Sequence, residues 1–349
     1  MDQRARRPVL VAGGAGYIGA HTAKALHERG FRPIVFDNLS SGHRAALRWG
    51  DFVHGDIRDT RAVREALESS GARTIIHFAS LIEVGRSVTR PDLFWEHNVA
   101  GTASLLRAAA EVGIERLVFS SSAAVYGAPP GLSPLQPLVE DLPKDPSSPY
   151  GDTKLACERM IAAHARAFGF SAVALRYFNA AGADPSGLIG EAHDPETHLI
   201  PLAIAAALGT GRPLTVFGDD FPTPDGSCLR DYIHVSDLAA AHIAAIDINL
   251  GPGSSEAFNV GAGRGSSVFE VIRAVQAATG KALPFSVGSR RDGDPASLVA
   301  DPSRARRMMN WTPVTSSLEQ IVGSALAWHL APRYGPAETT IAETFRISA

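Results

Sequence analysis

Val9-Leu10-Val11-Ala12-Gly13-Gly14-Ala15-Gly16-Tyr17-Ile18-Gly19 decides the fold of this 349-residue chain. An apolar run of strand length enters a glycine cluster, and a helical pattern over 19–29 leaves it. The cluster satisfies both G-x-G-x-x-G and G-x-x-G-x-x-G, in the strand-turn-helix context that gives the motif its meaning. Glycine there permits a tight turn and lets backbone approach a pyrophosphate, which then lies at the positive end of the following helix. Asp37 follows the second apolar run at about the 20-residue distance where an acidic side chain binds ribose hydroxyls. A carboxylate there repels a 2′-phosphate, so the expected cofactor is NAD rather than NADP.

Working outward, short apolar runs at 9–12, 33–36, 52–54, 74–78 and 116–120 alternate with helical patterns at 19–29, 60–69 and 98–112. Such alternation predicts an α/β fold, a doubly wound parallel sheet of Rossmann type with helices on both faces. Gly30 and Gly113 stand just past two of the helices, where a C-terminal cap is expected. A proline-rich loop, 127–149, leads into a helix carrying Tyr150. After about Phe178 the rhythm becomes irregular, with long loops at 182–196 and 218–230. The expected organisation is a dinucleotide-binding domain over 1–178, a smaller C-terminal α/β substrate lobe over 179–332 with segments returning to the first domain, and a tail over 333–349. The basic start, 1–8, reads as a solvated tail.

Composition narrows the function. A formal net charge of -3 leaves no electrostatic footprint for nucleic acid or an anionic membrane surface. Polar residues interrupt every apolar run before membrane-spanning length. Only two cysteines, Cys157 and Cys228, are present. They cannot build a disulfide framework, and the expected compartment is a reducing cytoplasm. Cys157 reads as core. Glu140-Asp141 reads as a solvated turn. His21, His27, His43, His77 and His234 share no ligand spacing, so no metal is assigned.

Tyr150 and Lys154 lie four residues apart, on one face of a helix, with Ser122 upstream in a serine run. A free phenol has a pKa of about 10, and a neighbouring ammonium together with a cationic nicotinamide ring would lower it toward the range of a working base. Asp56-Ile57 and Phe78-Ala79-Ser80, at other strand ends, point to the same crevice, either against the cofactor or as ordinary loop.

Together these segments, with Asp37-Asn38-Leu39, Leu175-Arg176-Tyr177-Phe178-Asn179 and Arg230-Asp231-Tyr232-Ile233-His234-Val235, resemble the extended short-chain dehydrogenase/reductase superfamily, and within it the UDP-sugar 4-epimerases, over about 9–328. The resemblance implies that Tyr150 takes the sugar's 4-hydroxyl proton while the C4 hydride passes to a tightly bound NAD. Ser122 would orient that hydroxyl and Lys154 would hold the cofactor ribose. It also implies cofactor contacts from Gly13, Gly16, Tyr17, Ile18, Gly19, Asp37, Asn38, Asp56, Ile57, Phe78, Ala79, Ser80, Asn98 and Tyr177. Substrate contacts are implied for Asn179, His198, Leu199, Phe217, Arg230, Arg291, Asp294 and Leu298, the arginines on a diphosphate and Asp294 on the uridine ribose. For His198, a structural hydrogen-bonded histidine is the competing reading.

Ala123 and Ala124 stand where sugar-nucleotide dehydratases need an acid and a base, which disfavours water elimination. Leu298, where members of the resembled family carry a large or a small gate for N-acetylated sugars, is intermediate, so UDP-N-acetylglucosamine stays open; UDP-xylose/UDP-arabinose, differing by one hydroxymethyl group, stays open as well, and UDP-glucose/UDP-galactose is expected. A homodimer is implied by the likeness. A non-catalytic nucleotide sensor would have lost the tyrosine or lysine, and both are present.

Overall fold

The structure is a computed structural model and describes residues 7–128, 133, 135–291 and 294–335. Among the described residues the strands are β1 Pro8–Ala12, β2 Arg32–Asp37, β3 Asp51–His54, β4 Thr74–His77, β5 Arg116–Ser122, β6 Ser171–Tyr177, β7 Asn179–Ala181, β8 Leu214–Phe217, β9 Leu229–His234, β10 Ser255–Val260, β11 Gly265–Ser267, β12 Phe285–Gly288 and β13 Ser297–Leu298. The α-helices are α1 Tyr17–Glu28, α2 Thr60–Ser70, α3 Val84–Thr89, α4 Pro91–Phe94, α5 Gly101–Val112, α6 Pro149–Phe168, α7 Leu199–Leu208, α8 Val235–Asp247, α9 Val268–Thr279, α10 Ser303–Met309 and α11 Leu318–Leu330.

Seven strands form one parallel sheet in the order β10-β6-β5-β4-β1-β2-β3. The chain winds outward through β2 and β3, then returns to place β4 on the other side of β1. That reversal opens a crevice beyond the carboxyl ends of β1 and β4, the usual ligand position in an open α/β sheet. One face of the sheet packs on α2, α5 and α6 through Val63, Leu67, Leu105, Leu106 and Ile161. The other packs on α1 and α8 through Leu26, Leu238 and Ile243. Near-continuous apolar runs such as Val9-Leu10-Val11-Ala12 are what a strand buried on both faces requires.

Four short strands, β11, β9, β13 and β7, and the pair β12-β8 lie outside this sheet. Their core joins α7, α9 and α11 through Ile200, Ile204, Val271, Val275, Ile321 and Val322. α8, β10 and α10 lie later in the sequence but return to the large sheet, β10 as its edge strand.

Several local expectations change. β4 ends at His77, because the Phe78 and Ala79 amides both turn to the Ala12 carbonyl, at 2.7 and 3.1 Å. The helix expected from Asn98 starts earlier, at Pro91, and passes through a π-turn over Trp95–Ala100 before α5. Glu140 is buried rather than solvated, since its carboxylate accepts from the Asn259 amide at 2.8 Å; Asp141 stays exposed. The tails at 1–6 and 336–349 lie outside the described residues.

Candidate active site

The floor of the crevice is backbone. Gly13 has φ 80, and a Cβ there would lie 2.5 Å from the Ala79 nitrogen, so β1 and the loop after β4 can meet this closely only at glycine. At Gly19 a Cβ would come 2.3 Å from the Gly13 carbonyl, which fixes α1 tightly onto the turn. Gly16 caps α1 and offers no side-chain hydrogen bond to it, so the first-turn amides are left for an anion. Asp37 accepts from the Ala15 amide at 2.9 Å and the Leu39 amide at 2.8 Å. Burial raises its pKa while those two amides act against the rise. Two of a carboxylate's roughly four lone-pair sites are thereby used, leaving acceptors for ribose hydroxyls.

Around this floor the predicted residues divide. Asn38 donates to Asp56 at 2.9 Å, and Asp56 pairs with Arg58 at 2.8 Å, which holds its carboxyl well below the usual range. Ile57 is core. Asn98, on the π-turn, accepts from the Leu81 amide at 2.8 Å and donates to the Leu81 carbonyl and to Thr153, each at 3.1 Å. The extra residue of a π-turn aims that side chain back at the loop after β4 and at α6, so Asn98 braces both. The Tyr17 hydroxyl donates to the Gly182 carbonyl at 2.6 Å, joining the glycine loop to the first long loop beyond the sheet. Ile18 and Phe78 pack against the core on the α8 face.

The serine, tyrosine and lysine converge at the carboxyl end of β5. α6 starts where it does because Ser148 caps it, accepting from the Gly151 amide at 3.2 Å, with Pro149 in the first turn. Ser122 ends β5 and caps the following tight turn, accepting from the Ala124 amide at 3.1 Å. Lys154 is 1% exposed; its Nζ donates to Ser80 Oγ at 2.9 Å and to the Ser120 carbonyl at 2.8 Å. Burial lowers its pKa to about 8. Nζ lies 5.7 Å from the centre of the Tyr150 ring.

Tyr150 departs from expectation. Burial pushes its phenol up to about 12, with the Ser122 hydroxyl acting in the opposite sense. Burial outweighs any effect of the Lys154 ammonium, whose Nζ lies 5.7 Å from the ring centre. Tyr177 is raised by burial and by its proximity to Tyr150, and its hydroxyl meets Ser120 Oγ.

Behind this group, Glu158 and Arg176 form a buried bidentate pair, at 2.7 and 2.9 Å, which Ser121 joins. It ties α6, β5 and β6 together directly behind the converging side chains. Neither member stands out in the sequence, since one lies on a helix and the other on a strand 18 residues later.

On the opposite wall, Arg230 donates to the Pro295 carbonyl at 3.0 Å and meets Asp294 at 3.3 Å. Arg291 meets the other oxygen of Asp294 at 2.9 Å and lies over the Phe217 ring at 4.9 Å. Leu298 pairs with Arg230 across β13 and β9 and packs against the cluster of Val125, Tyr126, Leu138 and Leu155. Asn179 donates to the Asp231 carbonyl at 3.0 Å. Leu199 begins α7, and His198 before it turns Nδ1 toward Glu191 and Glu196, each at 2.9 Å. Those two glutamates and His193 complete a cluster that the sequence reading does not connect.

A glycine-floored crevice at a parallel-sheet reversal, with serine, tyrosine and lysine at its rim, defines a member of the extended short-chain dehydrogenase/reductase superfamily. Within that class the chain belongs to the NAD dependent epimerase/dehydratase family, whose sequence profile matches residues 9–261. It is 47% identical over 327 residues to UDP-glucose 4-epimerase of Halalkalibacterium halodurans, covering 94% of this chain and 97% of that one. The crystal structure of UDP-glucose 4-epimerase from Brucella ovis in complex with NAD superimposes with a TM-score of 0.87 at 47% identity, covering 92% of this chain and 97% of that chain. The Bifidobacterium longum UDP-glucose 4-epimerase in complex with NAD+ and UDP gives 0.86 at 36% identity, covering 93% and 98%.

Proposed function

We propose that this chain is an NAD-dependent UDP-sugar 4-epimerase that interconverts UDP-glucose and UDP-galactose. The observation that carries the reading is the convergence of Ser122, Tyr150 and Lys154 beside a dinucleotide floor, with Ala123 and Ala124 next to the serine offering no proton-transfer group. Likeness over nearly the full length to enzymes named UDP-glucose 4-epimerase supports the same choice. The floor fits a dinucleotide: uncapped α1 amides for the pyrophosphate, Asp37 acceptors for a ribose, and a close backbone approach at Gly13.

When bound, NAD takes and returns the sugar's C4 hydride. Tyr150 acts as the base that removes the 4-hydroxyl proton and later restores it. Ser122, already oriented by the Ala124 amide, shares a hydrogen bond with that hydroxyl and holds it toward the phenol. Lys154, with an ammonium whose pKa is near 8, holds ribose hydroxyls in competition with Ser80 and supplies positive charge beside Tyr150. Turning the 4-keto sugar presents its other face, so that the hydride returned to C4 there inverts the carbon while Tyr150 returns the proton to the 4-oxygen. Arg230 and Arg291 bind the diphosphate, Asp294 the uridine ribose, and Phe217, whose ring lies under Arg291, a further part of the substrate. Residues 1–178 carry the cofactor and catalytic groups, and 179–332 mainly the substrate.

The chain acts in the cytoplasm, supported by two free buried cysteines, and as a homodimer, supported by family likeness. Among the described residues no helix is long and apolar enough to cross a membrane. The test is incubation of the purified protein, without added NAD, with UDP-glucose, UDP-xylose and UDP-N-acetylglucosamine separately, following 4-epimers by NMR. UDP-galactose should form fastest. No 4-epimer from any of the three, with NAD bound, would end this reading.

A further inference from the structure

Next to the crevice, one group of polar side chains is left, of which only His198 carries an expected role, and its Nδ1 is turned to two glutamates instead. It lies in Glu191-Ala192-His193-Asp194-Pro195-Glu196-Thr197-His198, at the end of the loop that precedes α7. His198 Nδ1 is 2.9 Å from an oxygen of Glu191 and 2.9 Å from one of Glu196. His193 Nδ1 is 3.1 Å from Glu191 and 3.8 Å from Glu196. Each residue contributes one donor atom, and all four donors lie within 4.8 Å of one another.

Those separations match the spacing between ligands of one metal ion. With metal–nitrogen and metal–oxygen bonds of about 2.0–2.2 Å, neighbouring ligands of a tetrahedral ion stand roughly 3.4 Å apart. Two imidazoles and two carboxylates form a mixed nitrogen and oxygen set, suited to zinc and its first-row neighbours rather than to magnesium or calcium. The set is also held from behind. The Trp328 indole donates to the Glu191 carbonyl at 2.7 Å, His43 meets the Ala192 carbonyl at 2.7 Å, and the Thr197 and His198 amides both donate to Glu196 at 2.8 Å. Glu191 is 4% exposed, and a carboxylate that deep needs a cation. His193 and His198 keep side-chain exposures of 22% and 43%, enough for an ion to enter.

We propose that Glu191, His193, Glu196 and His198 bind one divalent transition-metal ion of the zinc class, which locks this loop against the dinucleotide loop. The link is direct: the Tyr17 ring lies edge-on to His193 with centroids 6.1 Å apart, and the Tyr17 hydroxyl holds Gly182 at the other end of the same loop. The ion serves structure and takes no part in proton transfer at Tyr150. Two protonated imidazoles paired with two carboxylates form the metal-free alternative, and the same experiment separates them.

The protein with its bound NAD is stripped with a chelator, dialysed and titrated with cobalt(II), and the visible d–d absorption is followed. The site predicts a band that saturates at about one ion per chain, is quenched by one equivalent of zinc(II), and is accompanied by a rise in Tm. Glu196→Gln and His193→Gln should each weaken cobalt binding at least about tenfold and abolish the Tm rise. Should both variants fail to fold, the wild-type band and its zinc quenching decide alone. Absence of a saturable band, or uptake unchanged in folded variants, overturns the site in favour of the metal-free pairing. Because the readouts are absorption and Tm, the result is independent of whether UDP-glucose is turned over.

Discussion

On the dinucleotide side of the crevice the contacts are made by backbone: Gly13 against Ala79, Gly19 against Gly13, and the bare amides at the start of α1. On the facing wall they are made by side chains: Arg230 and Arg291 share Asp294, and Arg291 lies over Phe217. The first arrangement has one geometry and tolerates no added atom. The second consists of ion pairs, Arg291 with a side-chain exposure of 60%, that can exchange one partner for a diphosphate. That difference suits the proposed roles, a retained cofactor on one side and an exchanging substrate on the other.

Substitutions on the two sides should therefore fail differently. Tyr150→Phe, at the rim where they meet, has the largest expected effect: turnover falls roughly 10²–10⁴-fold, with NAD content unchanged by absorbance of the denatured protein. The phenol gives a companion test. In NAD-free protein the tyrosinate absorbance missing from Tyr150→Phe should emerge only near pH 12, because burial opposes the charged form. A cationic ring beside it favours that form, so NAD should move the transition to lower pH. An unchanged transition would remove the cofactor from the tuning of the base.

Gly13→Ala comes next. A Cβ 2.5 Å from the Ala79 nitrogen at φ 80 should cost at least about 1–3 kcal/mol by denaturant titration and empty the dinucleotide site. Full NAD occupancy would contradict a floor built on backbone contact. Asp294→Asn, on the facing wall, should leave NAD occupancy and stability near wild type. It should change UDP affinity only a few-fold, in a salt-dependent way, as expected of partly exposed charges. A loss as severe as that of Gly13→Ala would erase the contrast between the walls. Leu298→Ser is smallest, a modest shift in relative kcat/KM toward UDP-N-acetylglucosamine; an unchanged ratio would show that the Leu138 and Leu155 cluster does not set the pocket.

The same contrast explains what could be read from the sequence. The glycine loop, Asp37 and the spacing of Tyr150 and Lys154 are local patterns, and so is the alternation of apolar runs and helices that carries the parallel sheet. Return of β10 to the sheet edge was expected only as unspecified segments, because Ser255–Val260 carries no mark of its partner β6. The burial of Glu140 depends on Asn259, 119 residues away, and the Glu158–Arg176 pair on two elements that meet only in the fold. The loop at 191–198 carries a local signal, acidic and histidine residues two to three positions apart, that the other histidines named above do not share. The phenol's upward shift is hidden for another reason: spacing places Lys154 beside Tyr150, but only the structure shows how deeply the phenol is buried.

Tyr150, on this mechanism, removes and restores the proton of the 4-hydroxyl while the hydrogen on C4 never leaves the site. UDP-glucose carrying deuterium at C4, incubated with the protein and no added NAD, tests it most directly. UDP-galactose should retain the deuterium at C4, with none appearing in water. Loss of the label to solvent, or product formed only when NAD is supplied and reduced in step, would contradict it.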